Sequence, residues 1–311
     1  MTAKSTISQG PARDFRGYGR DLPNADWPGK ARIAVQFVVN YEEGAERCVL
    51  YGDATSEAFL SDMVNAEPWP GQRNMNMESL YEYGARAGFW RLWRLFTARG
   101  CPVTVNAVTA ALAGAGEQLA AMKEANWDIA SHALRWLEYK DVPLEEERAM
   151  MREAIALHAR LVGERPLGWY TGRVSENTLD LVIEEGGFLY SSDNYADDLP
   201  YWVRGRTGAP HLVIPYAFDT NDMRFVQAQG YQTAEDFFVY LRDTFDTLYE
   251  EGAERPKMMT VGLHCRIIGR PGRVVAMRKF LDYIEAKSDV WIARRVDIAR
   301  HWHARHPVGP A

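Results

Sequence analysis

Apolar and polar positions along this chain switch repeatedly between the two-residue repeat of a strand and the 3.6-residue repeat of a helix, and the switches mark its elements. Residues 31–40, ARIAVQFVVN, form a short β-branched run that predicts a buried strand, and its carboxyl end runs into YEEG. Residues 76–100, NMESLYEYGARAGFWRLWRLFTARG, carry Met and aromatic side chains at helical spacing and stop at Gly100, a residue type that closes helices. CPVTVNAV at 101–108 returns to strand character, EQLAAMKEAN at 117–126 to helix, and WDIASHA at 127–133 predicts a third strand ending at His132. The alternation continues with a helix over 144–163, a strand-like 167–173, a helix over 175–186 and a strand over 188–195. Strands at 211–216 and 258–267 and a strand-to-helix unit over 290–302 complete it.

Strands alternating with helices, without a Gly-rich phosphate loop after the first strand, predict a barrel-like α/β fold rather than a dinucleotide-binding sheet. Such barrels build their active sites at the carboxyl ends of the strands. Glu42, Glu43, His132, Arg173, Asp193, Asn221 and His264 all fall just after predicted strands. With no internal repeat or low-complexity tract, the expectation is one barrel domain over 31–311, preceded by a Pro/Gly-rich extension, 1–30, that packs on it.

Composition narrows the function. A chain of 311 residues can bury a sizeable core without disulfides, and Cys48, Cys101 and Cys265 are odd in number and share no short spacing. The 36 Lys and Arg against 42 Asp and Glu give a net charge of -6, which argues against nucleic acid and for a small-molecule partner. The amino-terminal segment has no apolar run, so neither a signal peptide nor a membrane anchor is expected, and the cytoplasm is the expected location.

Several residues could carry chemistry. Neighbours on a strand point to opposite faces, so at most one of Glu42 and Glu43 turns inward unless the backbone turns there. The two read either as a solvated loop pair or as a general base with its pKa raised by burial and by the second carboxylate. His132, in ASHALRW, is structural or catalytic; a metal site would want a second histidine nearby, and Trp136 stands where one would be sought. RPLGWYTGR offers Tyr170 and Arg173, and Asp193 follows a strand, whereas Asp197 and Asp198 read as solvated loop acids. In DTNDMR, Asp219, Asn221 and Arg224 could bind an amide or ureido ligand, although turn capping explains the same residues. His264 is either a packed histidine or a catalytic one beside an electropositive rim made by Arg266 and GRPGR. His301, His303 and His306, near the terminus, read as incidental.

Taken in order, NYEEG, SHALRW, RPLGWYTGR, SSDNYADDLPYW and GLHCRIIGRPGR resemble the motifs of the polysaccharide deacetylase superfamily, and more closely those of its cofactor-independent allantoinase branch. YGDATSEAFL, MESLYEYGARAGFWRL, HLVIPYAFDTNDMRF and RRVDIARHWHARHP extend the resemblance over nearly the whole chain. It implies a deformed (β/α) barrel of the NodB-like type and a homo-oligomer, a tetramer being one form. In the metal-dependent members the first motif reads T-F-D-D-G, the leading Asp serving as base and the next as metal ligand; Glu42 and Glu43 occupy those places here. The second motif there carries two ligating histidines four apart, and this chain keeps His132 but has Trp136 at the second. No catalytic metal and no cofactor are therefore expected. Two departures from the allantoinase branch are Ala133, where Gly is usual, and Ser191, where Asp is usual.

The expected activity is hydrolysis of the hydantoin ring of allantoin to allantoate, a step of purine catabolism. Glu42 would act as base and His264 as proton donor, with Glu43, His132 and Arg173 orienting them. Asp193 and Asn221 would read the ureido and ring amide groups, with Tyr170, Arg266 and an apolar wall from Trp136 completing the pocket. The alternatives are hydrolysis of another cyclic imide or hydantoin, with zinc as an option, a deacetylase-like carbon–nitrogen hydrolase, and a barrel that binds without catalysis.

Overall fold

A computed structural model of the chain describes residues 13–309. Its central strand, β1 (Ile33–Tyr41), is buried at every position, as expected of a parallel strand covered on both faces. Side chains alternate along it. Ile33, Val35, Phe37, Val39 and Tyr41 enter the main apolar cluster under the helices, while Gln36, Val38 and Asn40 meet partners inside the barrel. The remaining strands are β2 (Thr104–Ala107), β3 (Asp128–Ser131), β4 (Gly168–Trp169), β5 (Tyr190–Ser191), β6 (Tyr201–Arg204), β7 (Pro210–Val213), β8 (Lys257–His264) and β9 (Val290–Ile292).

The strand order is β6-β7-β5-β4-β3-β2-β1-β8, with β9 pairing β1. All pairings are parallel except the β6–β7 hairpin. This is the barrel-like α/β fold that the alternation predicts, in the deformed (β/α) form that the resemblance implies. Between β7 and β8 the wall is completed by the connecting segment: Asn221 bridges Gly262, Gly262 N donates to Thr220 O at 3.1 Å, and the Thr220 hydroxyl donates to Thr260 O at 2.6 Å.

Around the barrel run α1 (Met75–Tyr83), α2 (Phe89–Thr97), α3 (Thr109–Ala113), α4 (Gly116–Glu124), α5 (Leu144–Val162), α6 (Thr178–Glu185), α7 (Ala234–Glu251), α8 (Val274–Glu285) and α9 (Arg295–Arg305). The helix predicted over 76–100 is two helices joined by a π turn, Gly84–Gly88. The turn presses its glycines onto the strand ends: a Cβ on Gly84 would come 2.2 Å from Glu43 Oε1, and one on Gly88 1.9 Å from Cys265 O. The helical spacing marks the stretch as helix but does not place a single-turn π bulge inside it. Helices α3, α7 and α8 and strand β6 are additions to the sequence reading, while β7 is the strand expected at 211–216.

Of the 1–30 extension, residues 1–12 lie outside the described residues. Trp27 is buried against Trp291 and Trp302 and donates to Lys257 O at 2.8 Å. His301 and His303 each meet a backbone carbonyl, of Ala25 and Leu189, at 2.8 Å. Among the described residues no helix is long and apolar enough to cross a membrane.

Arg295, the first residue of α9, is fully buried in the barrel. Its guanidinium donates to the Ser192 and Thr260 hydroxyls, the Gln36 amide oxygen and the carbonyls of Ile214 and Pro215. One cation thus ties the ends of β5 and β7 to β1 and β8 across the irregular part of the wall. Replacing it by methionine strands these acceptors, and urea unfolding of Arg295→Met is expected to show a loss of roughly 3 kcal/mol. A loss under about 1 kcal/mol would mean the wall closes without it.

Candidate active site

The carboxyl ends of β1, β3 and β8 bring four charged or titratable side chains to one point. After Tyr41 the chain turns, with Ala45 N donating to Glu42 O at 3.0 Å and Gly44 at a φ of 93°. Because of that turn both carboxylates are buried, Glu42 at 1% and Glu43 at 5% exposure. This corrects the solvated-pair reading: the alternation that would send one outward ends at Tyr41.

Glu42 Oε1 lies 3.4 Å from Nε2 of His132 and 3.5 Å from Nε2 of His264. On its other side, Asp222 takes Nδ1 of His264 at 2.6 Å, the His264 amide at 2.7 Å and the Ile268 amide at 3.0 Å. Both ring nitrogens of His264 thus face carboxylates, which only accept when ionised, so the ring fits as an imidazolium. Asp222 escaped the sequence reading, which weighed its neighbours in DTND but not the last residue. Asn221 caps a short 3-10 helix by accepting from Met223 N, and Asp222 is the first, fully buried residue of that helix.

Arg266, expected in an electropositive rim around His264, is buried at 2% exposure. Its Nη1 lies 2.7 Å from Glu42 Oε2 and 3.8 Å from Glu43 Oε1, and its Nε donates to Leu60 O at 3.1 Å. The guanidinium sits 4.3 Å from the Tyr81 ring and 5.1 Å from that of Trp136. Trp136 also carries Arg173 at 4.0 Å and stacks on Phe59 at 5.9 Å. Arg173 donates to Trp136 O at 2.9 Å. The rest of the supposed rim is spent elsewhere, Arg270 on the Tyr83 ring and Arg273 on Asp62.

Tyr170 packs 4.7 Å from the His132 ring and 5.0 Å from Tyr216, and Tyr195 and Phe218 stack at 4.1 Å at the outer end of this aromatic run. Asp193 accepts from the amides of Thr171 and Gly172, so it shapes the turn whose Gly172 lies beside His132. The Asn221 amide nitrogen donates to the Tyr216 hydroxyl at 3.3 Å, and its oxygen caps Met223. Asp219 and Arg224 pair with Tyr240 and Tyr231, away from the cluster.

Ala133 has a φ of 59°, a conformation that costs an L residue roughly 1 kcal/mol. Its methyl packs with Tyr139, Met151 and Trp169, a burial that returns about 0.8 kcal/mol. The two nearly cancel, so alanine is tolerated here and its effect falls on the outer packing of the loop. Ser191 is buried in β5 between Trp169 and Val213.

Electrostatics assigns the charges. Burial alone would raise the Glu42 carboxyl, but Arg266 and His264 outweigh it and hold Glu42 well below the usual carboxylate range. Burial pushes Glu43 up to about 7, with Glu42 adding to the rise and Arg266 opposing it. Burial also lowers His132, which Glu42 offsets only in part, leaving the ring neutral at pH 7. For His264 burial works against the charge, yet Asp222 and Glu42 win and raise it to about 9.

The residues do not fit a metal ion. Trp136 offers no ligand atom, the Arg266 guanidinium already lies against Glu42, and among the described residues no group of three His, Cys, Asp or Glu side chains is disposed to hold one. A cavity of about 600 Å³ lined by Trp93, Cys101, Trp127 and Arg294 lies at the amino-terminal side of β2 and β3 and shares none of the site residues.

No protein-family model matches the chain. It is 41% identical over 314 residues to a polysaccharide deacetylase-type protein of Schizosaccharomyces pombe, covering 95% of this chain and 98% of that one. Two solved structures superpose with a TM-score of 0.94 at 57% identity, covering 96% of this chain and 99% of theirs: a polysaccharide deacetylase-type protein of Pseudomonas aeruginosa PAO1 and PuuE allantoinase. A Mycobacterium smegmatis structure of the same type, at 22% identity and a TM-score of 0.76, covers 94% of this chain and 98% of that one and shares the fold.

The paired carboxylates around His264 set a measurable expectation. A folded-state pKa above the unfolded value means that the stabilisation is complete below about 6.5 and is lost as pH rises through about 9. NMR titration of the His264 ring is expected to show it protonated through neutrality, and Asp222→Asn to lower its pKa by about one unit or more. An unmoved titration in that variant would remove Asp222 from the pair.

Proposed function

The chain belongs to the polysaccharide deacetylase family, and from that premise we propose that it is an amidohydrolase that opens the hydantoin ring of allantoin to allantoate without a catalytic metal. The observation that carries the reading is the Asp222–His264–Glu42 series, a protonated acid and an ionised base held side by side at strand ends. The likeness to an allantoinase over nearly the whole chain supports the substrate.

Ring opening needs a base for water, charge to stabilise the oxyanion, and a proton for the departing nitrogen. Glu42 takes a proton from water as its oxygen attacks the ring carbonyl carbon. The carbon–nitrogen bond then breaks, and the ring nitrogen leaves with the proton that His264 held at Nε2. The carboxylic acid formed loses its proton and Glu42 passes the proton it took to His264 across their contact of 3.5 Å, so the sum is allantoin plus water giving allantoate and one proton. Asp222 keeps His264 oriented, and His132 steadies Glu42 Oε1 from the other side. Tyr170 packs on the His132 ring and Trp136 beside the Arg266 guanidinium, aromatic faces that suit a flat five-membered ring.

A role in purine catabolism, a homo-oligomeric assembly and a cytoplasmic location belong to the same proposal. So does a small molecule as the partner, with no nucleic acid.

Purified protein is expected to convert allantoin to allantoate at a rate unchanged by exhaustive chelation or by added zinc. Glu42→Gln and His264→Ala should each lower kcat about 10²-fold or more. Activity that appears only with zinc would give His132 and Glu43 ligand roles. Near wild-type turnover by both variants would sink the mechanism, while turnover of other cyclic amides but not allantoin would keep the reaction class and change the substrate.

A further inference from the structure

The structure assigns to Arg266 the part that a metal ion plays in the metal-dependent members of the family: a fixed internal cation that keeps Glu42 ionised and presents one of its oxygens to the two imidazoles. The assignment rests on the reading of Glu42 as the base.

Three observations carry it. First, two adjacent carboxylates are buried together, and Arg266 contacts both, at 2.7 Å and 3.8 Å. Anions this far from water need a partner charge within the fold. Second, the guanidinium is immobilised from several sides, by Leu60 O, the Tyr81 ring and Trp136. The last of these stands where the family's second ligating histidine would be. A divalent ion and a guanidinium cannot share this space, since their charges repel, so the tryptophan and the buried arginine act as one replacement. Third, Arg266 engages Glu42 Oε2 only, which leaves Oε1 to face Nε2 of His132 and His264. The arginine thereby selects which oxygen receives the proton. Nη1 and Nη2 are both buried with no hydrogen-bond partner among the described residues, so Nη1 meets Glu42 Oε2 as an ion pair and both nitrogens keep donors to spare in the same cluster.

Glu42 is faced by Arg266, His264 and His132 and follows directly into Glu43, so removing one of these cations should register in the pH profile as well as in the rate. The test is Arg266→Met and Arg266→Lys, assayed on allantoin from about pH 4 to about pH 10, with and without methylguanidinium. The methionine variant should lose about 10²-fold in kcat with KM little changed. Its acid limb should move upward, and methylguanidinium should restore part of the activity. The lysine variant, which keeps the charge but not the planar fork, should hold the wild-type acid limb and lose about tenfold. Unchanged kcat in Arg266→Met, or a lower kcat with the acid limb in place and no rescue, would overturn the assignment. Should the methionine variant not fold, the lysine variant decides alone: a wild-type acid limb supports a charge role, and an upward shift refutes it. If the wild-type protein opens no cyclic amide, the functional reading fails separately. The assignment is then read from ¹³C NMR titration of Glu42 in wild type and the two variants, with the same pair of outcomes.

Discussion

A carboxylate buried to 1% exposure at the end of the central strand is the constraint around which the upper half of this barrel is arranged. Leaving such a charge uncompensated costs several kcal/mol, so the fold has to deliver counter-charges to one point from distant parts of the chain. β8 brings His264 and the turn after β8 brings Arg266, while β3 adds His132 as a neutral neighbour. Glycine permits the approach. Any side chain at Gly84 or Gly88 would collide with Glu43 or with the backbone of Cys265, so the π turn between α1 and α2 is what lets the helix lie over this cluster.

The second carboxylate of the series depends on the irregular part of the wall. Asp222 reaches His264 only because 215–222 runs beside β8 and is held there by the Thr220 and Asn221 contacts to Thr260 and Gly262. Gly262 must be small, since a Cβ there would meet the Asn221 amide at 2.4 Å and the Tyr216 hydroxyl at 2.5 Å. Arg295 anchors the start of the same segment through Ile214 O and Pro215 O. A buried arginine at the barrel centre and a histidine at its mouth are therefore linked by one short piece of backbone. The link is packing and hydrogen bonding, with no moving part required.

What the sequence made legible follows from what a linear pattern can encode. Nine consecutive buried residues of β1 and the strand ends after it are local facts, and Glu42, His132 and His264 were found because each follows an apolar run. Partnership is not local. Asp222 lies 42 positions from the ring it orients, and nothing in DTND distinguishes an inward acid from a turn former. Arg266 looked like part of an electropositive rim because arginines cluster after His264, yet only the last two of that cluster face outward contacts. Asp193 and Asn221 were given to the ligand because of their position; their polar atoms are taken by nearby backbone and by Tyr216. Trp136 marks an absent ligand, and the structure adds what came with the absence, a guanidinium 2.7 Å from Glu42 and 3.8 Å from Glu43.

That exchange changes how the chemistry has to run. A metal can activate a bound water directly, whereas a guanidinium only sets a field, so in the proposed reaction the proton must go to a carboxylate. The field that keeps Glu42 ionised also makes it a weak base, and two cations face it at the start, Arg266 and His264. The weakness is offset by coupling. His264 holds its proton up to about 9 because Asp222 and Glu42 are both anionic. Once Glu42 accepts a proton from water, one of those two anions is gone and His264 becomes a stronger acid. The ring nitrogen needs its proton at that moment, as the carbon–nitrogen bond breaks, so base and acid work in sequence through a contact of 3.5 Å. Asp222 prevents the release from coming too early, since its contact of 2.6 Å with Nδ1 keeps part of the hold on the imidazolium.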